Sequence, residues 1–542
     1  MSRLRVLCVA ISGLVIWQLG IGQIQAQVSP RALQLQEQAG VPISGVVLFR
    51  SIEPLHSNGL DEVGPNGRCN QDPIGSRQNE ITAFANPLNT DIVLTGSNDY
   101  RNGDASGGFY RTLDAGATWQ DALVSRGPTG TYDAAGDPVA AIDQNGRMFT
   151  WYIAFDRDPG VDNGLYCQTS DDNGTTWLTP VPVAEHIGDP SPHFEDKPYA
   201  TCDIVPGSPY ANNAYVTWTR FLAGGGAQIH FSKSTDGGEL FTNPIAISGS
   251  TNTQFSCPTV GPNGEIYVVW YTYISMTIRF DYSLDGGTTW HLDHAVAPFD
   301  DDFPQNPCGT WRIVTYPVVA CDISGGPRQG WIYVSWVDNA GGEPDVMFTR
   351  SEDGGTTWSN PVHVEDDATN RWQWFHWMTV HPETGDIGIS WLDRREDPGQ
   401  CLYRTYATIS TDGGDTWAPN FPVSDVESDP TTPTFIGDYN ANTFKSDGFY
   451  AGWVDLRNDD GDAYAAWYRL ALPAPENLTI HSDGDDVILR WKSVDAPLYN
   501  IYSAPSPDGP FDTLEGTTTD TVFTDVNPGV PALHYVVRAA TE

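Results

Sequence analysis

Thr112-Leu113-Asp114-Ala115-Gly116-Ala117-Thr118-Trp119 is the first of six copies of one octapeptide pattern, Ser/Thr-x-Asp-x-Gly-x-x-aromatic. The later copies begin at Ser170, Ser234, Ser283, Ser351 and Ser410, with aspartates at Asp172, Asp236, Asp285, Asp353 and Asp412. Their rings are Trp177, Phe241, Trp290, Trp358 and Trp417. Successive aspartates are 58, 64, 49, 68 and 59 residues apart, so one supersecondary unit repeats with loops of varying length. Within each copy the glycine supplies the positive φ of a tight turn, the aspartate accepts backbone N–H bonds, and the ring packs against neighbouring strands. The pattern is first of all a folding device.

Outward from the octapeptide, each unit contains four short strand-like runs. It opens on an apolar run such as Pro317-Val318-Val319-Ala320. A second run ends near an aromatic, as in Arg147-Met148-Phe149-Thr150-Trp151 and Ile332-Tyr333-Val334-Ser335-Trp336. A third leads into the octapeptide and a fourth follows it, as in Pro361-Val362-His363-Val364. Four strands in about fifty residues make a propeller blade. The second-run pattern occurs seven times, and the last unit runs out near Pro473 without an octapeptide. A ring must close, so the early run Gly45-Val46-Val47-Leu48-Phe49-Arg50 is expected to complete the last blade. The sequence thus predicts an all-β chain: a leader over 27–78, then a propeller over 79–473 with seven blades, six being the alternative.

The octapeptide resembles the Asp-box, or bacterial neuraminidase repeat, of the sialidase-like β-propellers. That resemblance is specific for architecture, because propellers of differing function carry the box. Past the linker at Pro473-Ala474-Pro475, the runs Val487–Trp491, Tyr499–Tyr502, Thr521–Asp525 and Tyr535–Ala539 resemble strands B, C, E and F of a fibronectin type III sandwich over 474–542. The run for a final strand is lacking.

Composition narrows the class of partner. Charged residues make up 18% and aromatics 12%, alongside 54 Gly and 40 Pro, which suits short strands and many turns. Met1-Ser2-Arg3-Leu4-Arg5 and the apolar run that follows read as a secretory signal peptide over 1–26. Without it the chain holds 26 basic and 69 acidic residues, a formal charge of −43. Such a surface repels nucleic acid and anionic lipid, and the expectation is a secreted or periplasmic monomer with no membrane insertion after cleavage. Seven cysteines would remain, an odd number; Cys308 and Cys321 are near enough in sequence to bridge a loop. No cofactor motif is present; the turn Asn458-Asp459-Asp460-Gly461-Asp462 could take a structural calcium ion, or be a solvated loop.

Chemistry is expected on the face that carries no box. In an up-and-down blade the start of the first strand and the end of the second share one face, and every octapeptide lies on the other. First-strand starts carry Glu80, Asp137, Asp196 with Lys197, Tyr316, His376 and Asp438-Tyr439. Second-strand ends carry Asp99 with Arg101, Arg157, Arg220, Asp393 with Arg394 and Arg395, and Asp455 with Arg457. Such a mouth suits glycoside chemistry on a glycan or polysaccharide. Paired carboxylates among Glu80, Asp137, Asp393 and Asp438 would act as acid, base or nucleophile, and Arg101, Arg157, Arg220, Arg394 and Arg457 could hold a sugar carboxylate. Tyr316 and His376 would form an aromatic rim.

The sialidase resemblance implies that Tyr439 is the nucleophile, activated by a glutamate. The family's aromatic-Arg-Ile-Pro opening is absent, however: the openings here are Asn79-Glu80-Ile81 and Asp137-Pro138. The structural reading is that the Asp-x-Arg pairs are ties between blades and that Tyr439, Tyr316 and His376 are packed. A binding module without catalysis is the rival function. The sialidase mechanism requires Asp438, Tyr439, Glu80 and at least two of the five arginines to share one pocket.

Overall fold

The computed structural model describes residues 63–469 apart from short stretches, the longest of them 158–161, 305–307, 309–311 and 432–434. It also describes the strands between 476 and 540 and two dipeptide strands, Leu4–Arg5 and Ser51–Ile52. Most of the expected signal region, the run at 45–50 and the linker at 473–475 lie outside the described residues. The chain forms two compact units, residues 62–469 and residues 1–61 with 470–542.

The strands of the larger unit order themselves, among the described residues, as seven four-stranded antiparallel sheets. Their first strands are Gln78–Ala85, Ala134–Ile142, Phe194–Cys202, Thr253–Val260, Val318–Cys321, Gln373–Val380 and Ala441–Lys445. Each packs against the next, and the seventh packs back against the first. Second strands such as Val93–Asp99, Ile332–Asp338 and Ile387–Asp393 are buried at every position. Burial on both faces removes the need for alternation, which is why these runs read as continuous apolar sequence. At one equivalent place most of them carry a fully buried ring, as at Trp218, Trp270, Trp336, Trp391 and Trp453. In the second sheet that place is held by Tyr152, one residue past the expected Trp151, because Met148 pairs with Ser170 as Ala214 pairs with Ser234.

The strand that completes the seventh sheet is Gly67–Arg68, paired with Asp462–Arg469, and not the expected run at 45–50. Arg68 Nε donates to Asp462 Oδ1 at 2.8 Å, as does Asn70 Nδ2 at 2.8 Å, and Asn458 Nδ2 reaches Oδ2 at 2.8 Å. The turn considered for calcium is thus a tie between the two ends of the seven-sheet unit.

The octapeptide turns act between sheets. Thr112 Oγ1 donates to Asp114 Oδ1 at 2.8 Å and accepts from the Gly116 N–H at 2.7 Å, while Thr118 donates through N–H and Oγ1 at 2.8 and 2.6 Å. Such bonds, from Thr176 and Thr289, hold Asp172 and Asp285 at a pKa of about 2. Trp290, Trp358 and Trp417 lie edge-on to Phe231, Phe280 and Phe348 at 4.8, 5.4 and 5.1 Å, each phenylalanine on the third strand of the preceding sheet. A Cβ on Gly287, Gly355 or Gly414 would lie 2.4, 2.2 or 2.3 Å from the same three rings. These glycines have φ of 81, 87 and 88°, so both the turn and the close approach exclude a side chain.

In the smaller unit, Glu476–Asp483, Asp486–Lys492 and Val522–Asp525 form one sheet; Thr513–Thr518, Leu498–Ala504 and His534–Ala540 form another. The two share a core of Leu489, Trp491, Tyr499, Ile501, Tyr535 and Val537. In the larger unit the disulfide is Cys308–Cys401, with Cα atoms 5.4 Å apart. Cys321, near Cys308 in sequence, is a buried free thiol at the end of Val318–Cys321.

Candidate active site

The site is built on a repeated break in the first strands. Pairing with the second strand shifts register between Asn79 and Thr82, Gly136 and Val139, Asp196 and Tyr199, Gln254 and Cys257, and Trp374 and Trp377. Inside these bulges Glu80, Asp137, Lys197, Phe255 and Phe375 have φ of 60, 51, 48, 56 and 50°. A non-glycine residue in this region costs about 1–3 kcal/mol and persists only where its surroundings impose it. Pairing aligns Tyr316 and Tyr439 with the same position in the fifth and seventh sheets, since Val318 and Ala441 pair with Ser335 and Gly452 as Trp377 pairs with Ser390. One ring of seven equivalent residues results, ionisable at Glu80, Asp137 and Lys197 and aromatic elsewhere.

The aromatic part is packed. Phe255 and Tyr316 have ring centroids 4.9 Å apart and Tyr316 and Tyr439 5.6 Å, and two residues further along their strands Tyr199 and Trp377 meet at 4.5 Å. Against it stands an ion cluster centred on Lys197. Its Nζ lies 2.7 Å from Glu80 Oε1, 2.9 Å from Asp438 Oδ2 and 3.3 Å from Asp137 Oδ2. Arg312 closes on Asp438 with two bonds, Nε at 2.8 Å and Nη2 at 2.6 Å. Asn98 ties the first two sheets, donating to Glu80 Oε2 at 3.1 Å and accepting from the Asp137 N–H at 2.7 Å.

Crowding four carboxyls around two cations spreads their pKa values. Burial, then the charge of Asp137, pushes Glu80 well above the ordinary range. The same two causes put Asp196 at about 7. Burial alone would also raise Asp137 and Asp438, but Lys197 holds both below the ordinary range, with Arg312 assisting at Asp438. Near neutral pH the Asp137 and Asp438 carboxylates therefore face two cations, Glu80 is pushed toward its neutral form, and Asp196 carries the proton in play. Asp196 is half-buried and Arg312 exposed, whereas Glu80 and Asp438 are almost wholly enclosed. Carboxyls pushed apart in this way supply one acid and one anion at a single pH.

Of the residues expected at the site, Glu80, Asp137, Asp438, Tyr439 and Tyr316 come together. The arginines do not. Arg101 is bound to Asp99 at 2.7 Å, Arg220 to Glu195 at 2.6 Å, and Arg457 to Asp455 and Asp425 at 2.8 Å each. Arg157 pairs with Asp104 at 2.6 Å on the surface. Arg394 is fully buried over Trp372 and Trp374, at 4.7 and 5.0 Å, and burial lowers its pKa to about 10. Asp393 accepts from Trp391 Nε1 at 2.8 Å and pairs with Arg395 at 2.9 Å, so it caps a buried indole and stands outside the cluster. His376 is 1% exposed and burial lowers its pKa to about 4, which makes it a neutral core residue and not a rim. The Tyr439 hydroxyl is buried without a hydrogen-bond partner among the described residues, and burial, then Glu80 and Asp137, raise its pKa well above 10. The base that a tyrosine nucleophile needs is not hydrogen-bonded to it.

Asp196, Lys197 and Arg312 were not among the expected catalytic or binding residues. The first two lie at a first-strand start that was in view. Arg312 comes from the segment between the fourth and fifth sheets, and its signal was the longest step between octapeptides, 68 residues. Four residues before it, Cys308 is anchored to Cys401. Concavities of about 490 and 170 Å³ lie toward the other ends of the first strands, so it is the chemistry of the cluster that marks this site.

No family model matches the chain. It is similar to a xyloglucanase of a Paenibacillus species, 23% identical over 358 residues, or 61% of this chain and 33% of that protein. It is also similar to a sialidase of Bacteroides fragilis strain YCH46, 23% identical over 336 residues, or 58% of this chain and 48% of that protein. The chain thus matches a third to a half of the length of these relatives. Among solved structures, an α-L-arabinanase of Penicillium chrysogenum complexed with arabinobiose aligns with a TM-score of 0.43 at 12% identity, over 75% of this chain and 98% of that one.

Proposed function

We propose that the seven sheets are the blades of a propeller, that the smaller unit is a fibronectin type III-like sandwich, and that the chain is a secreted or periplasmic glycoside hydrolase acting at Asp196. The observation that carries the reading is a half-buried carboxyl with a pKa of about 7 set among ionised Asp137 and Asp438. Protonated Asp196 donates to the departing glycosidic oxygen as the glycosidic C–O bond breaks, the Asp137–Asp438 charge faces the positive character that develops on the sugar ring, and a water molecule adds to the anomeric carbon with its proton passing back to the Asp196 carboxylate. After burial, the charge of Asp137 is the largest cause of the raised Asp196 pKa. Its part is therefore to tune the acid. Lys197 and Arg312 orient the substrate and keep both anions ionised. The names of the two curated relatives support a glycan as substrate; the engaged arginines argue against a site built around a sialic acid carboxylate. The expected signal peptide and the Cys308–Cys401 disulfide support an oxidising compartment.

The enclosure of Glu80 and Asp438, at 0 and 1% exposure, favours the second reading, in which the cluster is a structural plug and the protein only binds glycans. Hydrolysis of a panel of fluorogenic glycosides, arabinosides, xylosides, glucosides and sialosides included, separates the two. Turnover of one class, lowered about 10²–10⁴-fold in Asp196→Asn and less in Asp137→Asn, is the expected result. No turnover of any class would rule out the hydrolase, and full activity in Asp196→Asn would rule out Asp196 as its acid.

A further inference from the structure

At the opposite ends of the first strands of the first two sheets lies a concavity of about 490 Å³, within the range of about 300–1,000 Å³ typical of small-ligand sites. From Glu80 to Asn86 the strand runs six residues, so the two sites are about 20 Å apart. The lining is polar: Asn86, Asp143, Asn145, Arg147, Asn173 and Asn212 contribute to it. Two of these are almost fully buried, Asn86 at 3% and Asp143 at 2% exposure.

Each of the two uses only half of its side chain within the protein. Asn86 Oδ1 accepts from the Leu88 N–H at 2.8 Å, and among the described residues its Nδ2 donates to nothing. Asp143 Oδ1 accepts from the Asn145 and Arg147 N–H groups at 2.8 and 2.9 Å, and its Oδ2 accepts from nothing. In the third sheet the corresponding turn is complete, since Asp203 Oδ1 accepts from the Val205 N–H at 3.0 Å and Oδ2 from Ser208 at 2.5 Å. The Asn212 Oδ1, on another lining residue, is buried and has no partner among the described residues. An unused donor and an unused acceptor that open on one polar concavity, on side chains otherwise enclosed, are free to meet a ligand there.

We infer that this concavity is a second, non-catalytic site for a neutral glycan. A sugar hydroxyl both donates and accepts, so adjacent hydroxyls meet Asn86 Nδ2 and Asp143 Oδ2 together, with the rim amides of Asn145 and Asn173 reaching the next ones. An anionic sugar is disfavoured, because Arg147 is already paired with Asp171 at 3.1 Å. The site would hold a polymer at the face opposite the mouth, and it stands whether or not Asp196 catalyses.

The test is binding of neutral xyloglucan, arabinan and mannan oligosaccharides to the full chain by calorimetry, in an Asp196→Asn background so that nothing is consumed. Asp143→Asn and Asn86→Asp keep the oxygen that serves the turn and reverse the group that faces the concavity; Asn145→Ala alters only an exposed rim residue. The expected result is a Kd raised about ten- to hundredfold in the first two variants and less in the third, with an unchanged thermal midpoint. Oligosaccharide binding untouched by all three variants would overturn the inference, as would no binding of any of the neutral probes. Should Asp143→Asn and Asn86→Asp lower the thermal midpoint, Asn145→Ala decides by the same criterion.

Discussion

At the residue scale the molecule turns on Asp196, whose carboxyl is kept protonated to about pH 7 by burial and by Asp137. Two consequences have opposite signs. For activity, the acid must carry its proton, so kcat/KM should fall tenfold per pH unit above about 7, and a pH–rate profile of the wild-type protein reads this limb directly. For stability, the folded state binds a proton that the unfolded chain releases near 3.9, so folding weakens as pH rises from about 4 to 7 and the loss is complete above the folded value. Asp196→Asn removes the penalty. Its thermal midpoint should exceed that of the wild type at pH 8 and match it near pH 4, while turnover is lost. A variant less stable than wild type at pH 8 would mean that Asp196 is ionised and well paired there, contrary to its place in the cluster. Gain of stability with loss of activity is the signature of a strained functional group.

At the element scale the telling unit is the second-strand end. Trp391-Leu392-Asp393-Arg394-Arg395 and Trp453-Val454-Asp455-Leu456-Arg457 look like acid–base pairs, but in each the aspartate first caps the indole two residues before it, at 2.8 Å. Asp455 is fully buried and also carries Arg457. Asp455→Ala should cost about 3–5 kcal/mol in chemical denaturation, by leaving a buried indole N–H and a guanidinium without their acceptor, and should leave KM unchanged. The octapeptide turn is legible because its bonds span four residues, and the second strands are legible because double burial makes them continuously apolar. The bulges are not, since left-handed Glu80, Asp137 and Lys197 carry no local glycine signature. The cluster is harder still, because Lys197 meets Glu80 across 117 residues, and Arg312 arrives on an insertion that no repeat predicts. Cys321 is near enough to Cys308 in sequence to bridge a loop, whereas the fold pairs Cys308 with Cys401 across 93 residues.

At the scale of the whole molecule, seven similar sheets leave the chain with two ends to join, and the joint is small: Gly67–Arg68 on Asp462–Arg469, held by the three donors on Asp462. Asp462→Ala should lower the thermal midpoint and broaden the unfolding transition, because opening one sheet exposes an edge on each neighbour. Around this ring the chain carries a formal charge of −41. The cations of the candidate mouth do not offset that field for an incoming ligand, since Lys197 and Arg312 are already neutralised by Asp438 and Asp137. An anionic glycan must therefore approach against a field that a neutral one does not feel. Raising ionic strength from about 0.01 M to about 0.15 M shortens the screening length from about 30 Å to about 8 Å. If both kinds of glycoside are turned over, kcat/KM should rise severalfold with salt for a sialoside or uronide and stay flat for an arabinoside or xyloside. A fall with salt for the anionic substrate would instead mean that Lys197 and Arg312 release their carboxylates to receive it, and the acid cluster would then be a gate that the substrate opens.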